Sequence, residues 1–216
     1  MTNLNRIRVV VMGGARVGKS AVTVRYLTKR YIGEYSSSTD FLYRHCVTFD
    51  SATTEVEILD TSKCAAMGCL DEHLRWGEAF VVVYSVCDAL SFHDARDLLD
   101  KVAALKLPGY CTTLLLGNKR DLDHSRQVGV DAGQELSLQF GCQFYEVSAA
   151  EHWAGVSLAF QSLLREARSL QLLRTLPIRR KLGVNSVSKV LGNIFSKAAG
   201  KRPAGQDRKK RPSLSI

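Results

Sequence analysis

A glycine-rich segment has the residue types and spacing that bind phosphate groups. Residues Gly13–Ser20 match the pattern G-x-x-x-x-G-K-[ST] and lie between an apolar, β-branched run, Ile7–Met12, and a helix-like run that extends to Arg30. In this pattern backbone N–H groups surround phosphate oxygens, the Lys19 ammonium reaches the β- and γ-phosphates, and the Ser20 hydroxyl ligates Mg²⁺. A glycine-rich turn is the alternative interpretation. The order of strand, loop and helix favours the phosphate site.

A second motif, far along the chain, indicates which nucleotide base the site could bind. The apolar run Thr112–Gly117 predicts a buried strand, and Asn118, Lys119 and Asp121 follow it in the pattern N-K-x-D. Ligands of open α/β sheets bind at the carboxyl ends of strands. The Asp121 carboxylate can accept hydrogen bonds from N1–H and the N2 amino group of guanine, and adenine offers no such pair on that edge. A third segment, Glu146–Ala150, follows another strand-like run and offers N–H groups to the guanine carbonyl. The three segments predict a guanine-nucleotide site.

The elements that position these motifs alternate along the chain. A chain of 216 residues with 45% hydrophobic content is long enough for one sizeable core. Apolar runs predict strands and helical spacing predicts helices; the strands are at 54–60, 80–86, 112–117 and 142–147, and the clearest helices at 91–107 and 156–173. The alternation predicts an α/β fold with a mainly parallel sheet and helices on both faces.

With the three motifs in this order, the chain resembles the Ras superfamily of small GTPases over about residues 5–173. It is similar to the branch of Ras-related and estrogen-regulated growth inhibitors, in particular the like-protein of that branch, in residues 24–35, 74–80, 118–128 and 148–151 and in the ending of the basic tail. The resemblance implies a P-loop NTPase fold, the Ras-like G domain, with a mainly parallel six-stranded sheet. It also implies a signalling switch that binds GTP and GDP with Mg²⁺, hydrolyses GTP and has a negative role in proliferation.

The motifs and the resemblance together predict the site residue by residue. By resemblance, the Tyr31 ring stacks on guanine and Tyr35 closes over the phosphates. The implied Mg²⁺ ligands are Ser20, Asp60 through a water molecule, and either Ser38 or Thr39. The residues predicted to contact the nucleotide are Gly14, Ala15, Arg16, Val17, Gly18, Lys19, Ser20, Ala21, Tyr31, Tyr35, Ser38, Asp60, Thr61, Asn118, Lys119, Asp121, Leu122, Ser148, Ala149 and Ala150.

Three residues depart from the family pattern where hydrolysis is concerned. Lys63 stands where the family has the glycine whose N–H meets the γ-phosphate, and Cys64 where it has the water-positioning glutamine. A thiol cannot both accept from water and donate to the transition state as an amide does. The Ala15 side chain crowds the space that an incoming arginine finger uses. We therefore predict Lys19 and Cys64 as the catalytic positions. The intrinsic rate of GTP hydrolysis is expected to be at or below ~10⁻⁴ s⁻¹.

Two functions remain open on this pattern. The first is a slow guanine-nucleotide switch, a monomer that binds effector and regulatory proteins through residues 33–42 and 61–76. The second is a scaffold that holds the nucleotide with negligible hydrolysis. Lys63 and Cys64 favour the scaffold, and the intact phosphate and guanine motifs favour the switch.

Residues 174–216 form a basic segment, which we expect to be a largely flexible tail after a globular domain of residues 1–173. The tail carries twelve Lys and Arg side chains against Asp207, a net charge of +11, which leaves the remainder of the +9 chain at −2. Apolar residues at helical steps between Val184 and Ala198 predict a short amphipathic helix. It could contact an anionic membrane or a calmodulin-type partner, or pack on the domain. Because Phe195 is the lone aromatic among the basic residues, we expect no sequence-specific nucleic-acid binding.

Cysteine usage and the chain termini suggest a cytoplasmic protein. The six cysteines contain no C-x-x-C pair, which favours reduced thiols and predicts no zinc site. The sequence shows neither a signal peptide nor a lipidation motif, so we expect no lipid anchor. The basic clusters at 201–202 and 208–211 are compatible with a nuclear or transient membrane location. Surface or loop positions are expected for the five histidines, His45, His73, His93, His124 and His152.

The residues Lys63 and Cys64 give a test of the hydrolytic step. Changing Lys63→Gly and Cys64→Gln together should raise single-turnover GTP decay by about tenfold, ~1.4 kcal/mol of barrier, because the new N–H can approach the γ-phosphate and the amide can orient water. Each single change should do less, since neither provides both functions. A wild-type rate equal to that of the double variant would show that another residue positions the water.

Overall fold

The computed structural model describes residues 6–33, 35, 39–49, 52–61, 67–105 and 109–175. All of them lie in Met1–Leu176, the first of two units into which the chain divides. Strands and helices alternate in this part of the chain, as the apolar runs predict. In chain order they are β1 (Arg6–Gly13), α1 (Lys19–Thr28), β2 (Phe41–Phe49), β3 (Ala52–Asp60), α2 (Met67–Trp76), β4 (Ala79–Ser85), α3 (Ala89–Leu105), β5 (Thr112–Asn118), a 3₁₀ helix (Arg120–Ser125), α4 (Val130–Phe140), β6 (Gln143–Glu146) and α5 (Trp153–Thr175).

The six strands form one sheet in the order β2-β3-β1-β4-β5-β6. β2 and β3 pair antiparallel, with Phe41 opposite Asp60 and Phe49 opposite Ala52. The pairings of β1 with β3 and β4, of β4 with β5, and of β5 with β6 are parallel. The predicted α/β class with a mainly parallel six-stranded sheet is confirmed.

Both faces of the central strands are buried, which explains why they are continuous apolar runs. Val9 and Val11 of β1 lie in the core beneath α1 and α5. Val10 and Met12, which point the other way, lie in the core beneath α2, α3 and α4. The helices therefore cover both faces of the sheet, as the alternation of elements predicts.

The helix bounds differ slightly from those read in the sequence. α3 spans Ala89–Leu105 instead of 91–107, and residues 106–108 lie outside the described residues. α5 spans Trp153–Thr175 and so continues past residue 173, where the sequence places the start of the tail. The predicted amphipathic helix of the tail lies outside the described residues. Among the residues described, no helix combines the length and the apolar character needed to cross a membrane.

The parallel topology places the ends of several strands at one edge of the sheet. β1 ends at Gly13, β3 at Asp60 and β5 at Asn118, and β6 ends at Glu146, just before the third predicted segment. Carboxyl ends of parallel strands are where open α/β sheets bind ligands. The phosphate and guanine motifs, far apart in the chain, therefore share this edge.

The packing of α5 on α1 supports this edge of the sheet. A substitution at Phe160 tests how much this packing contributes to stability. Phe160 is fully buried and stacks on Tyr26 with ring centroids 4.5 Å apart. Phe160→Ala should lower the free energy of unfolding by about 3–5 kcal/mol, because it removes apolar contacts and leaves a cavity. Leu158→Ala is the matched control on the same helix: Leu158 is 57% exposed, so its loss should change stability by less than about 0.5 kcal/mol. Equal effects of the two changes in denaturant unfolding would contradict this assignment of the core.

Candidate functional site

A cleft of about 730 Å³ opens at this edge of the sheet. Its volume is within the range of cofactor and ligand pockets. It is lined by residues of all three sequence motifs and of the segments before β2 and after β3, namely Ala15, Arg16, Gly18, Lys19, Ser20, Ala21, Tyr31, Gly33, Tyr35, Thr39, Asp60, Thr61, Asn118, Lys119, Asp121, Leu122, Ala149 and Ala150.

The loop between β1 and α1 contains two residues in the left-handed backbone region, Gly18 and Arg16. Gly18, at the start of α1, has φ +95°, a left-handed value that strains other residues. A Cβ at Gly18 would lie 2.4 Å from Nδ2 of Asn118. Arg16 has φ 60°, and such values in residues other than glycine concentrate at functional sites. Lys19 Nζ donates to the carbonyls of Gly13 and Gly14 at 3.0 and 2.9 Å, which directs the ammonium along the inside of the loop.

The side chain of Asn118 joins the three motifs. Its Nδ2 donates to the Val17 carbonyl at 2.9 Å, and its Oδ1 accepts from the Ala149 N–H at 3.1 Å. The residue is 2% exposed. Buried hydrogen bonds of this kind fix geometry, because losing one partner leaves a desolvated polar group. Asn118 thus holds the phosphate loop, its own loop and the 148–150 segment in one arrangement.

The N-K-x-D segment turns sharply after β5. Lys119 has φ 66° and precedes the 3₁₀ helix, and this turn brings both Asp121 and Leu122 to the wall of the cleft. Cys87 Sγ lies 3.4 Å from the Leu122 carbonyl. The carboxylate of Asp121, which can only accept hydrogen bonds when ionised, therefore belongs to a residue of the cleft wall, which Ala149 and Ala150 also line.

Arg25 is a supporting residue that the sequence did not reveal. It projects from α1, and its Nη2 donates to the carbonyls of Ala150 and Glu151 at 3.1 and 2.7 Å. Its Nη1 donates to the carbonyl of Lys29 at 3.0 Å. One guanidinium thus holds the 150–151 turn against the helix that begins at the phosphate loop. The sequence carries no local signal for this contact, because the partners are 125 and 126 residues apart.

The Asp60 carboxylate has the surroundings of a cation-binding group. It is 2% exposed, and neither carboxylate oxygen has a hydrogen-bond partner at full bonding geometry among the described residues. Burial raises the pKa of Asp60, while the nearby Ser20 hydroxyl and the Lys19 ammonium act to lower it. An uncompensated buried carboxylate is costly, and a hydrated divalent cation would supply the missing donors and charge. The residues present therefore fit a magnesium ion held by Ser20 and, through water, by Asp60.

Most of the predicted site residues line the cleft, and a few do not. Gly14, Val17 and Ser148 are not among the lining residues: Val17 contributes its carbonyl to Asn118, and Ser148 Oγ accepts from the Glu151 N–H at 3.1 Å. Thr39 lines the cleft, whereas Ser38, the alternative residue for the magnesium contact, lies outside the described residues. Lys63 and the predicted catalytic Cys64 also lie outside them. Gly33 also lines the cleft, although it is not among the residues predicted to contact the nucleotide.

The fold and the cleft define a Ras-like G domain, and sequence comparison agrees. The model of the Ras family matches residues 8–169, so the chain belongs to this family of small GTPases. The resemblance inferred from the motifs is confirmed.

Among its relatives is the human protein "Ras-related and estrogen-regulated growth inhibitor", 36% identical over 197 residues that cover 91% of this chain and 98% of the relative. The Bos taurus "Ras-related and estrogen-regulated growth inhibitor-like protein" is also 36% identical, over 201 residues that cover 90% and 98%. "Ras-like protein family member 11B" of Xenopus tropicalis is 36% identical over 182 residues, 81% of this chain and 73% of the relative. The chain therefore aligns with nearly the whole length of the growth inhibitor and its like-protein.

Substitutions at two glycines of the cleft test the geometry of the loop between β1 and α1. Gly18→Ala should destabilise the protein by about 1–3 kcal/mol, because alanine is strained at φ +95° and its Cβ would press on the Asn118 amide. Gly33→Ala is the control in the same cleft, since a Cβ there has no atom within 4 Å. Thermal unfolding without added ligand measures both variants. Equal midpoints for Gly18→Ala and the wild type would contradict the described loop.

Proposed function

We propose that the protein is a small monomeric GTPase that binds GTP and GDP with Mg²⁺ and hydrolyses GTP slowly, acting as a signalling switch. The observation that carries the proposal is the pair of hydrogen bonds in which Asn118 donates to the Val17 carbonyl and accepts from the Ala149 N–H. These bonds hold the glycine-rich loop and the N-K-x-D segment at one cleft. Ras-family membership supports the class of activity. The identity of the bound nucleotide, the identity of the ion and the rate of GTP hydrolysis are the quantities to measure.

Recognition of guanine is assigned to the end of the cleft lined by Asp121 and Ala149. A carboxylate accepts from two adjacent N–H groups, and the backbone N–H groups of the 148–150 segment suit a carbonyl. Guanine presents that combination of donors and acceptor. Tyr31, 47% exposed at the wall of the cleft, is proposed to cover the base, while Tyr35 closes over the phosphates.

Phosphate binding is assigned to the loop of residues 14–20 and the start of α1. Lys19 is the first residue of α1, so its ammonium and the helix N-terminus would act on the same anion. In this position Mg²⁺ would neutralise phosphate charge, held by Ser20, by Asp60 through water, and by Ser38 or Thr39. The Asp60 oxygens are buried and accept no hydrogen bond at full bonding geometry from the residues that the structure describes, which supports the ion contact.

Slow hydrolysis follows from the residues that differ from the family pattern. Ala15 lines the cleft at the position where a side chain obstructs an activating arginine. Lys63 and Cys64 replace the residues that hold the γ-phosphate and the water. The same residues support a second candidate function, a nucleotide-binding scaffold with negligible hydrolysis. The single-turnover rate of the wild-type protein separates the two functions.

Partners of the switch are proposed to bind residues 33–42 and 61–76. Four described residues of these ranges line the cleft, namely Gly33, Tyr35, Thr39 and Thr61. Phe41 and Leu42 are 43% and 49% exposed at the start of β2, and exposed apolar side chains suit a protein partner. The relatives named as growth inhibitors suggest a negative role in proliferation for this chain. The basic tail is proposed as a secondary contact for anionic membranes or calmodulin-type proteins, in a protein for which we propose a cytoplasmic location.

Base selectivity is tested by exchanging the Asp121 carboxylate for an amide. Asp121→Asn should weaken GTP binding by about ten- to hundredfold, since hydrogen bonds to a charged group contribute about 1.5–3 kcal/mol. The variant should gain relative preference for xanthine nucleotides, because the asparagine amide can donate to the carbonyl that replaces the guanine amino group. Competition titrations with GTP, ATP and XTP measure both effects.

Asp123→Asn is the matched control for this exchange. Asp123 lies in the same 3₁₀ helix, its side chain is 78% exposed, and it bonds Arg126 outside the cleft. Its removal should leave nucleotide preference unchanged. Equal affinity of the wild-type protein for ATP and GTP would rule out the guanine site.

A further inference from the structure

A cluster of three potential metal ligands lies outside the nucleotide cleft. Cys69 and His73 are four residues apart on α2, so their side chains share one face of the helix. Asp40, immediately before β2, approaches the same face. Sγ of Cys69, a ring nitrogen of His73 and a carboxylate oxygen of Asp40 all lie within 4.8 Å of one another.

The spacing of these atoms is close to that of a tetrahedral metal centre. Nε2 of His73 lies 3.0 Å from Oδ2 of Asp40 and 3.8 Å from Sγ of Cys69. For zinc, bond lengths of about 2.3 Å to sulfur and about 2.0–2.2 Å to nitrogen or oxygen place tetrahedral ligand atoms about 3.4–3.6 Å apart. Shifts of up to about 1 Å would let the three side chains share one ion.

The surroundings and the donor types favour a transition metal over magnesium. The side chains of His73 and Asp40 are 14% and 27% exposed, and Cys69 is half-buried, so the donors are shielded while one side stays open to water. A thiolate and an imidazole select zinc and similar ions, whereas magnesium prefers oxygen ligands. His73 lies in the last turn of α2, with a partly exposed side chain.

We propose that Asp40, Cys69 and His73 form a zinc site, with a water molecule at the fourth position. Cys69 binds as the thiolate, and its proton passes to solvent. The site differs from the proposed magnesium site, which uses Ser20 and Asp60, and it does not depend on nucleotide binding. Asp40 lies far from Cys69 and His73 in the sequence, so no short motif contains all three residues.

Zinc at this position would connect two segments that flank the nucleotide cleft. Asp40 is adjacent to Thr39, which lines the cleft, whereas Cys69 and His73 belong to α2. One ion bonded to both segments fixes their separation to within a few tenths of an ångström. The segment before β2 would then move together with α2.

Cobalt(II) replaces zinc as the spectroscopic probe in the test. The full-length protein is titrated with Co²⁺ in excess Mg²⁺, which occupies any magnesium site. We expect one equivalent of Co²⁺ to bind with a thiolate-to-cobalt charge-transfer band and tetrahedral visible absorption, and one equivalent of Zn²⁺ to abolish both. Absence of the band in the folded protein would overturn the proposal and leave Asp40, Cys69 and His73 as an ordinary hydrogen-bonded cluster.

Substitutions of the three proposed ligands test whether these residues bind the ion. Cys69→Ser and His73→Ala should each weaken Zn²⁺ binding at least about tenfold, since even the loss of a partner outside the coordination sphere costs about 10–100-fold. Cys46→Ser on β2 and His93→Ala on α3, two exposed positions, serve as controls and should bind Zn²⁺ like the wild type. If a helix variant fails to fold, Asp40→Asn in the exposed segment should give the same loss. Undiminished affinity in the folded ligand variants would refute the site.

Discussion

The hydrogen bonds of one buried side chain hold the candidate site together. Asn118 lies at the end of a central strand and bonds the phosphate loop on one side and the 148–150 segment on the other. Both partners are backbone groups, so the positions of the two loops depend on the Asn118 side chain whatever their own side chains are. An aspartate would keep the acceptor but lose the donor, and an alanine would lose both. The close approach of Gly18 to Asn118 is a further consequence of this arrangement.

The sheet supplies the rigid frame behind these loops. Pairing of β1 with β4 and of β4 with β5 fixes Gly13 and Asn118 relative to one another. Apolar packing on both faces keeps the strands in register, because a shift of one residue would turn buried side chains to the opposite face. Arg25 adds a connection from α1 to the 150–151 turn. The core therefore positions the phosphate loop, the N-K-x-D segment and the 148–151 segment relative to one another.

Local patterns allowed much of this architecture to be predicted from the sequence. The phosphate loop and the N-K-x-D segment each follow an apolar strand, and both lie at the predicted edge of the sheet. Contacts across the fold were not predictable, because they depend on strand register and helix packing. The bond from Asn118 to Val17 spans 101 residues, and that from Arg25 to Ala150 spans 125. The approach of Asp40, before β2, to His73 of α2 is a contact of the same kind.

Hydrogen–deuterium exchange of the Asn118→Ala variant, compared with the wild type, tests the central role of this side chain most directly. Loss of the two bonds should speed exchange of backbone amides in residues 14–18 and 147–151 by about fivefold or more, since each bond contributes about 1 kcal/mol against local opening. Amides in the middle of β1 and β4 should exchange at the wild-type rate. Faster exchange confined to residues next to 118, with both distant loops unchanged, would contradict the account.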